Sequence, residues 1–215
     1  MLDAYLKYQQ NLLTTSFTAM LDTPPEGFFD FFASEIADDL FVVLQKEATS
    51  LQPINPANIP QFSNIDEIDT VLRILIESGE QFSSYNSLGY YMCPRGANVA
   101  AQSKYGENHY KTAALLGLTR TGTPLSATGL GTAYHSIQDS DFKLAIRKRL
   151  TLRIPIVQQA LFLAESPMSM TDLMAQHLAT STVARRKSNV KTLLQYVCDV
   201  SGPQMQHRIS NIMWG

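Results

Sequence analysis

Cysteine is nearly absent. The 215-residue chain holds two, Cys93 and Cys198, too few for a disulfide framework and too widely separated for a C-x-x-C metal or redox pair. A reducing cytoplasm is the expected setting, and the opening MLDAYLKYQQ lacks the basic-then-apolar pattern of an export signal. No apolar run approaches the roughly 20 residues that span a bilayer, so no membrane association is expected. Eleven glycines and ten prolines are ordinary usage, which excludes collagen-like and low-complexity chains. What is there, 45% hydrophobic and 17% charged residues, suits a globular chain of one large or two small domains.

Basic residues are scarce at the start. Residues 1–80 carry Lys7, Lys46 and Arg73 against thirteen carboxylates, a net of −10, whereas residues 81–215 carry fourteen basic and six acidic side chains, a net of +8. The overall charge of −2 conceals this division. It predicts that the later part faces a polyanion while the acidic start holds a protein partner or a second copy of the chain. The alternative is charge drift on a solvated surface.

The pattern predicts a mainly α fold with short β-hairpins: an acidic helical region and linker over 1–60, then two winged-helix units over 61–138 and 139–215. Apolar residues recur at helical spacing from Leu2 to Leu13 and again from Phe28 to Leu44, with Pro24-Pro25 between them. The cluster Phe28, Phe29, Phe31 and Phe32 reads first as core and second as a dock for a partner. Three prolines in LQPINPANIP, Leu51 to Pro60, mark a linker or long loop. In the first unit Asn64 caps a helix from about Ile65 to Ser78. A short helix from Ala97 to Ser103 follows, then a turn at Lys104-Tyr105-Gly106 and a third helix from Glu107 to Leu116 ending at Gly117. A hairpin over Leu118 to Ser126 and a helix begun by Thr128 complete it. The second unit has a helix from Ile154 to Glu165, a short one capped by Thr171, and a long one capped by Thr180 or Ser181 and running to about Val197. A small wing is expected over Val200 to Ile212.

A DNA-reading helix must offer small polar and cationic side chains near its N-terminus, where it enters the major groove. Thr180, Ser181, Thr182, Arg185 and Asn189 have that chemistry. Arg185 can grip guanine and Asn189 adenine by paired hydrogen bonds. Arg186, Lys187 and Lys191 suit phosphate. The first unit offers Lys104, Tyr105, Asn108, His109, Lys111 and Thr112 as a weaker reader. The run Lys143, Arg147, Lys148, Arg149 and Arg153 suits the phosphate backbone, the alternative being solvated surface.

Catalytic patterns are thin, and neither catalysis nor a cofactor is expected. There is no G-x-x-x-x-G-K-[ST] loop, and Gly129-Leu-Gly131 lacks the third glycine of a dinucleotide fingerprint. The four histidines, His109, His135, His177 and His207, have no second ligand at a metal-binding interval. A metal-dependent nuclease built on Asp38, Asp39, Asp66 and Asp69 is the catalytic alternative, but Leu44-Gln45-Lys46 puts leucine where its acid-x-Lys triplet needs an acid.

The stretch ENHYKTAALLGL, Glu107 to Leu118, followed by LSATG, Leu125 to Gly129, resembles the pattern YY-x-x-A-x-x-LGL … LT-x-x-G of a winged-helix unit. TSTVARRKSNVKTLLQY, Thr180 to Tyr196, resembles the helix S-x-T-x-x-RR-x-S-x-V-x-x-W-L that follows it. Together they resemble the tandem winged-helix module found beside restriction endonucleases and AAA-type ATPases in bacterial defence systems, over roughly Ile65 to Val197. His109 stands where the first Tyr is usual and Leu193 where Trp is usual. The resemblance implies a double-stranded DNA-binding accessory or recognition subunit, with an ATPase, methyltransferase or nuclease as partner. A stand-alone transcription regulator and a protein-only adaptor are the alternatives.

Overall fold

A computed structural model describes residues 21–24, 26–47, 54–93 and 98–215; the helix expected over Leu2 to Leu13 lies outside them. The described residues are mainly helical. The helices are α1 (Phe28–Ser34), α2 (Ala37–Glu47), α3 (Glu67–Glu77), α4 (Tyr85–Met92), α5 (Val99–Leu115), α6 (Gly129–His135), α7 (Ser140–Leu150), α8 (Pro155–Leu163), α9 (Met170–Ala175), α10 (Thr180–Cys198) and α11 (Pro203–Ser210). Two short strands, β1 (Met168–Ser169) and β2 (Ile212–Met213), pair in parallel, with Met168 opposite Ile212. The chain folds as two compact units, one gathering 21–24 and 60–140, the other 26–59 and 141–215.

In the 60–140 unit each helix start has a sequence cause. Asn64 turns the chain into α3 by accepting the Asp66 N–H at 3.0 Å, and Ser84 and Asn98 cap α4 and α5. Acidic Glu67 and Asp69 sit in the first turn of α3, where the helix dipole favours them, and Ile68, Val71 and Leu72 are buried. Val71, Ile74, Phe82, Leu88, Tyr110 and Leu125 form one apolar cluster.

The turn expected at Lys104-Tyr105-Gly106 is not there: α5 runs unbroken through it. Gly106 serves a crossing instead. A Cβ on Gly106 would lie 2.4 Å from the Tyr85 carbonyl oxygen, and one on Gly89 would lie 1.9 Å from that of Gln102. Glycine at both positions lets α4 and α5 touch backbone to backbone. Gly117, at φ +79°, ends α5 as expected. The expected hairpin appears in reduced form. Arg120 N–H donates to Ser126 O at 2.9 Å and Thr128 N–H to Leu118 O at 3.0 Å, while Phe82 bridges Leu125 as a third extended residue. Thr128 caps α6, accepting the Gly131 N–H at 2.9 Å.

In the unit that holds 141–215, α1 and α2 contribute buried residues to the core. Phe28 and Phe32 are buried and stacked, with ring centres 5.2 Å apart, so this pair serves packing. Arg149 Nε donates to Glu35 O at 2.6 Å, and Ala37 N–H to Val200 O at 3.0 Å. The described part of the proline-rich segment is a docked 3₁₀ turn, Pro56–Asn58, capped by Asn55 and flanked by buried Ile54 and Ile59. Ser169, rather than Thr171, caps α9. The long helix α10 has the expected extent, but its N-cap is Ala179, with no side-chain capping bond, rather than Thr180 or Ser181. The wing expected over Val200 to Ile212 is replaced by α11: Pro203 occupies its first turn, where a missing N–H costs nothing, and the carboxylate of Asp38 accepts the N–H groups of Gly202, Gln204 and Met205.

Candidate nucleic-acid interface

Helix α10 is 19 residues long and contains no carboxylate. Val183, Val190, Leu194 and Val197 are buried, as their spacing predicts. The opposite side exposes Ser181, Ala184, Arg185, Ser188, Lys191 and Gln195, a stripe of small polar groups with two cations. Thr180 is exposed at its start, and Thr182 and Thr192 are half-buried beside the stripe. Arg185 reaches Thr182 Oγ1 at 3.4 Å and has no carboxylate partner among the described residues.

The buried side is broader than the alternation suggests. Leu193 is buried with Leu194, and Asn189 is only 8% exposed, so Asn189 is turned away from any base edge. Helices α8, α9 and α11 and the 3₁₀ turn Thr151–Arg153 all pack on α10, whose middle buries the adjacent pairs Asn189-Val190 and Leu193-Leu194. Arg186 lies on the flank of this broad face. It donates through Nη1 to the carbonyls of Pro56 and Ile59, the latter at 2.8 Å, and so clasps the docked turn rather than reaching for phosphate. Lys187 is half-buried and donates to Trp214 O at 3.0 Å.

The run from 143 to 153 does not form an outward track. Arg147 and Arg149 are 4% and 9% exposed, and Arg149 also donates to Ala145 O at 3.1 Å. Lys148 pairs with Asp199 at 3.2 Å and lies 5.9 Å from the centre of the Tyr196 ring. Lys143 and Arg153 are half-buried and partnered.

On α5 the cations are neutralised locally. Glu107 lies between Lys104 at 2.9 Å and Lys111 at 2.6 Å, and its hydrogen bonds to Lys111 and Lys104 hold its carboxyl below the usual range. His109 and Thr112 are buried at 1% exposure each, and Asn108 and Tyr105 are half-buried. The His109 Nδ1 meets the Tyr105 carbonyl at 2.9 Å while Nε2 faces the Ser63 N–H at 3.4 Å, an arrangement that suits the neutral ring. Burial pushes its pKa below the ordinary value, against the opposing pull of the Tyr105 carbonyl and Glu67. The position where the resembling pattern has Tyr is thus a packed, hydrogen-bonded histidine.

The division of charge along the sequence is not a division between the two units. Residues 141–215 carry ten basic and four acidic side chains, but they fold with residues 26–47, which carry six acidic and one basic. Asp38 caps α11, and among the described residues no three His, Cys, Asp or Glu side chains gather as a metal ion would need. No helix among them is long and apolar enough to cross a membrane. Comparison with protein-family models, curated proteins and solved structures returns no match.

Sequence reasoning missed the Asp38 cap and the contacts of Lys187 and Arg186. Pro203 was the available signal for α11, since proline in a helix's first turn is as characteristic as proline in a bend.

Proposed function

We propose that the chain binds double-stranded DNA without acting on it chemically, and that the outward stripe of α10 enters the major groove. The observation that carries this reading is the absence of any carboxylate along α10 together with the exposed row Ser181, Arg185, Ser188 and Lys191. Hydroxyls and cations without competing acids are what phosphate and base edges require. Element order supports it in both units. The series α3, Phe82, α4, α5 and hairpin, and the series α8, β1, α9 and α10, follow the order of a winged helix, with α11 standing in place of the second wing. The reading helix is then α10, with Arg185 the candidate base contact and Thr180, Ser181 and Thr182 at the entry. The resemblance of Thr180 to Tyr196 adds the setting: an accessory subunit of a bacterial restriction or anti-phage system, with promoter regulation as the competing role.

A mobility shift with random-sequence duplex DNA across a salt series tests the reading. Retention at low salt is expected, with log affinity falling linearly in log salt by about 0.9 for each phosphate engaged. Failure of the folded chain to retard duplex DNA at any salt would sink it. A second reading, a protein-docking adaptor, draws on the exposed Phe162, Leu163 and Met213 of the same unit, and would be favoured by that failure.

A further inference from the structure

Past β2 the chain lies along α10. Lys187 Nζ donates to the oxygens of Trp214 at 3.0 Å and Gly215 at 3.3 Å, and the Lys191 ammonium sits 6.0 Å from the centre of the Trp214 ring. From α9, the Thr171 hydroxyl donates to Gly215 O at 2.7 Å. Ile212 is buried and fixes β2, whereas Met213 is exposed and Trp214 half-buried. Residues 214 and 215 are therefore held to α9 and α10 by polar and cation–π contacts at the surface, beyond an anchored strand. Two of the cations of α10 are engaged by this segment, and Arg185, two residues before Lys187, is left exposed.

We propose that Trp214 and Gly215 form a strap that competes with nucleic-acid phosphate for Lys187 and Lys191, and that DNA binding lifts it from α10. The proposal rests on α10 being the DNA-facing helix. A phosphate offers a full negative charge where Trp214 offers a neutral carbonyl oxygen to Lys187 and a ring face to Lys191, so each ammonium exchanges that weaker partner for a stronger one. Loss of the strap's own contacts opposes this. The protein then binds as if only its open fraction were competent, and loosening the strap raises the apparent affinity without changing the final contacts.

Trp214 is the sole tryptophan of the sequence, so its emission reports the strap directly. Titration of the full chain with random-sequence duplex DNA should shift that emission to the red and increase its quenching by acrylamide. Thr171→Val removes the hydroxyl that holds Gly215 and leaves α10 and Trp214 intact. It should tighten DNA binding about three- to tenfold at unchanged salt slope. Trp214→Ala should shift affinity the same way, each variant being checked for native circular dichroism. Unchanged or reduced acrylamide access to Trp214 in the DNA-bound wild type, or variants that bind DNA no more tightly than wild type, would overturn the strap while leaving α10 as the reader. No binding by the folded wild type would remove both.

Discussion

The carboxylate of Asp38 caps a helix whose N-cap residue, Gly202, lies 164 residues later in the chain, accepting the N–H of Gly202 at 2.8 Å through Oδ1 and those of Gln204 and Met205 at 3.1 and 3.3 Å through Oδ2. Three otherwise orphaned donors and the positive end of α11 meet one negative group. Asp38→Ala is expected to lower stability by about 1–2 kcal/mol in chemical denaturation, and Asp38→Asn by less, since its amide oxygen still accepts. Equal stability of Asp38→Ala and wild type would refute the cap.

Gly89 and Gly106 mark the crossing of α4 and α5. In an open helix glycine to alanine gains up to about 1 kcal/mol. Here the added methyl meets backbone, at 2.4 Å from Tyr85 O for Gly106, and backbone cannot rotate away. Gly106→Ala is expected to destabilise the protein by about 2 kcal/mol or more, and Gly89→Ala likewise, read from thermal melting.

His109 links folding to pH. Its folded pKa lies below the ordinary value of about 6.5, so between those two values the unfolded chain binds the proton that the folded chain refuses. Stability from this group is complete above about pH 6.5 and declines as pH falls toward the folded pKa. The difference in unfolding free energy between wild type and His109→Gln should therefore change in favour of the variant between pH 7.5 and 5.5. A constant difference would show that the ring's burial has no such consequence.

Neighbouring arginines on α10 should separate by role. Arg185→Ala is expected to weaken DNA binding and, if the side chain meets phosphate, to reduce the salt slope by about 1, with little change in stability. Arg186→Ala removes the clasp on Pro56 and Ile59 and should lower the melting temperature first. The reverse pattern would exchange their assignments.

Local chemistry was legible where local chemistry decides. The extent of α10, Thr128 as a cap, Gly117 as a helix end and the inward side of α10 all follow from spacing and cap preferences. Gly106 was misjudged because glycine serves a turn and a helix crossing equally well, and only the partner helix distinguishes them. Asn189 shows the same limit: four elements pack on α10, and a helix so enclosed buries polar positions that a single apolar stripe would leave outside. Arg186, Lys187 and Arg149 read as phosphate contacts in isolation, yet carbonyls distant in sequence hold them. Charge along a chain is visible in sequence; its neutralisation by a remote segment is not.

The return of residues 141–215 to residues 26–59 has a consequence for biosynthesis. At ribosomal rates of about 5–20 residues per second, α2 is made roughly 5–20 seconds before the 3₁₀ turn Thr151–Arg153 that packs on it. An entire neighbouring unit is translated in that interval. The apolar side of α2 thus meets this packing partner only late in synthesis, an interval in which association with other chains competes with folding.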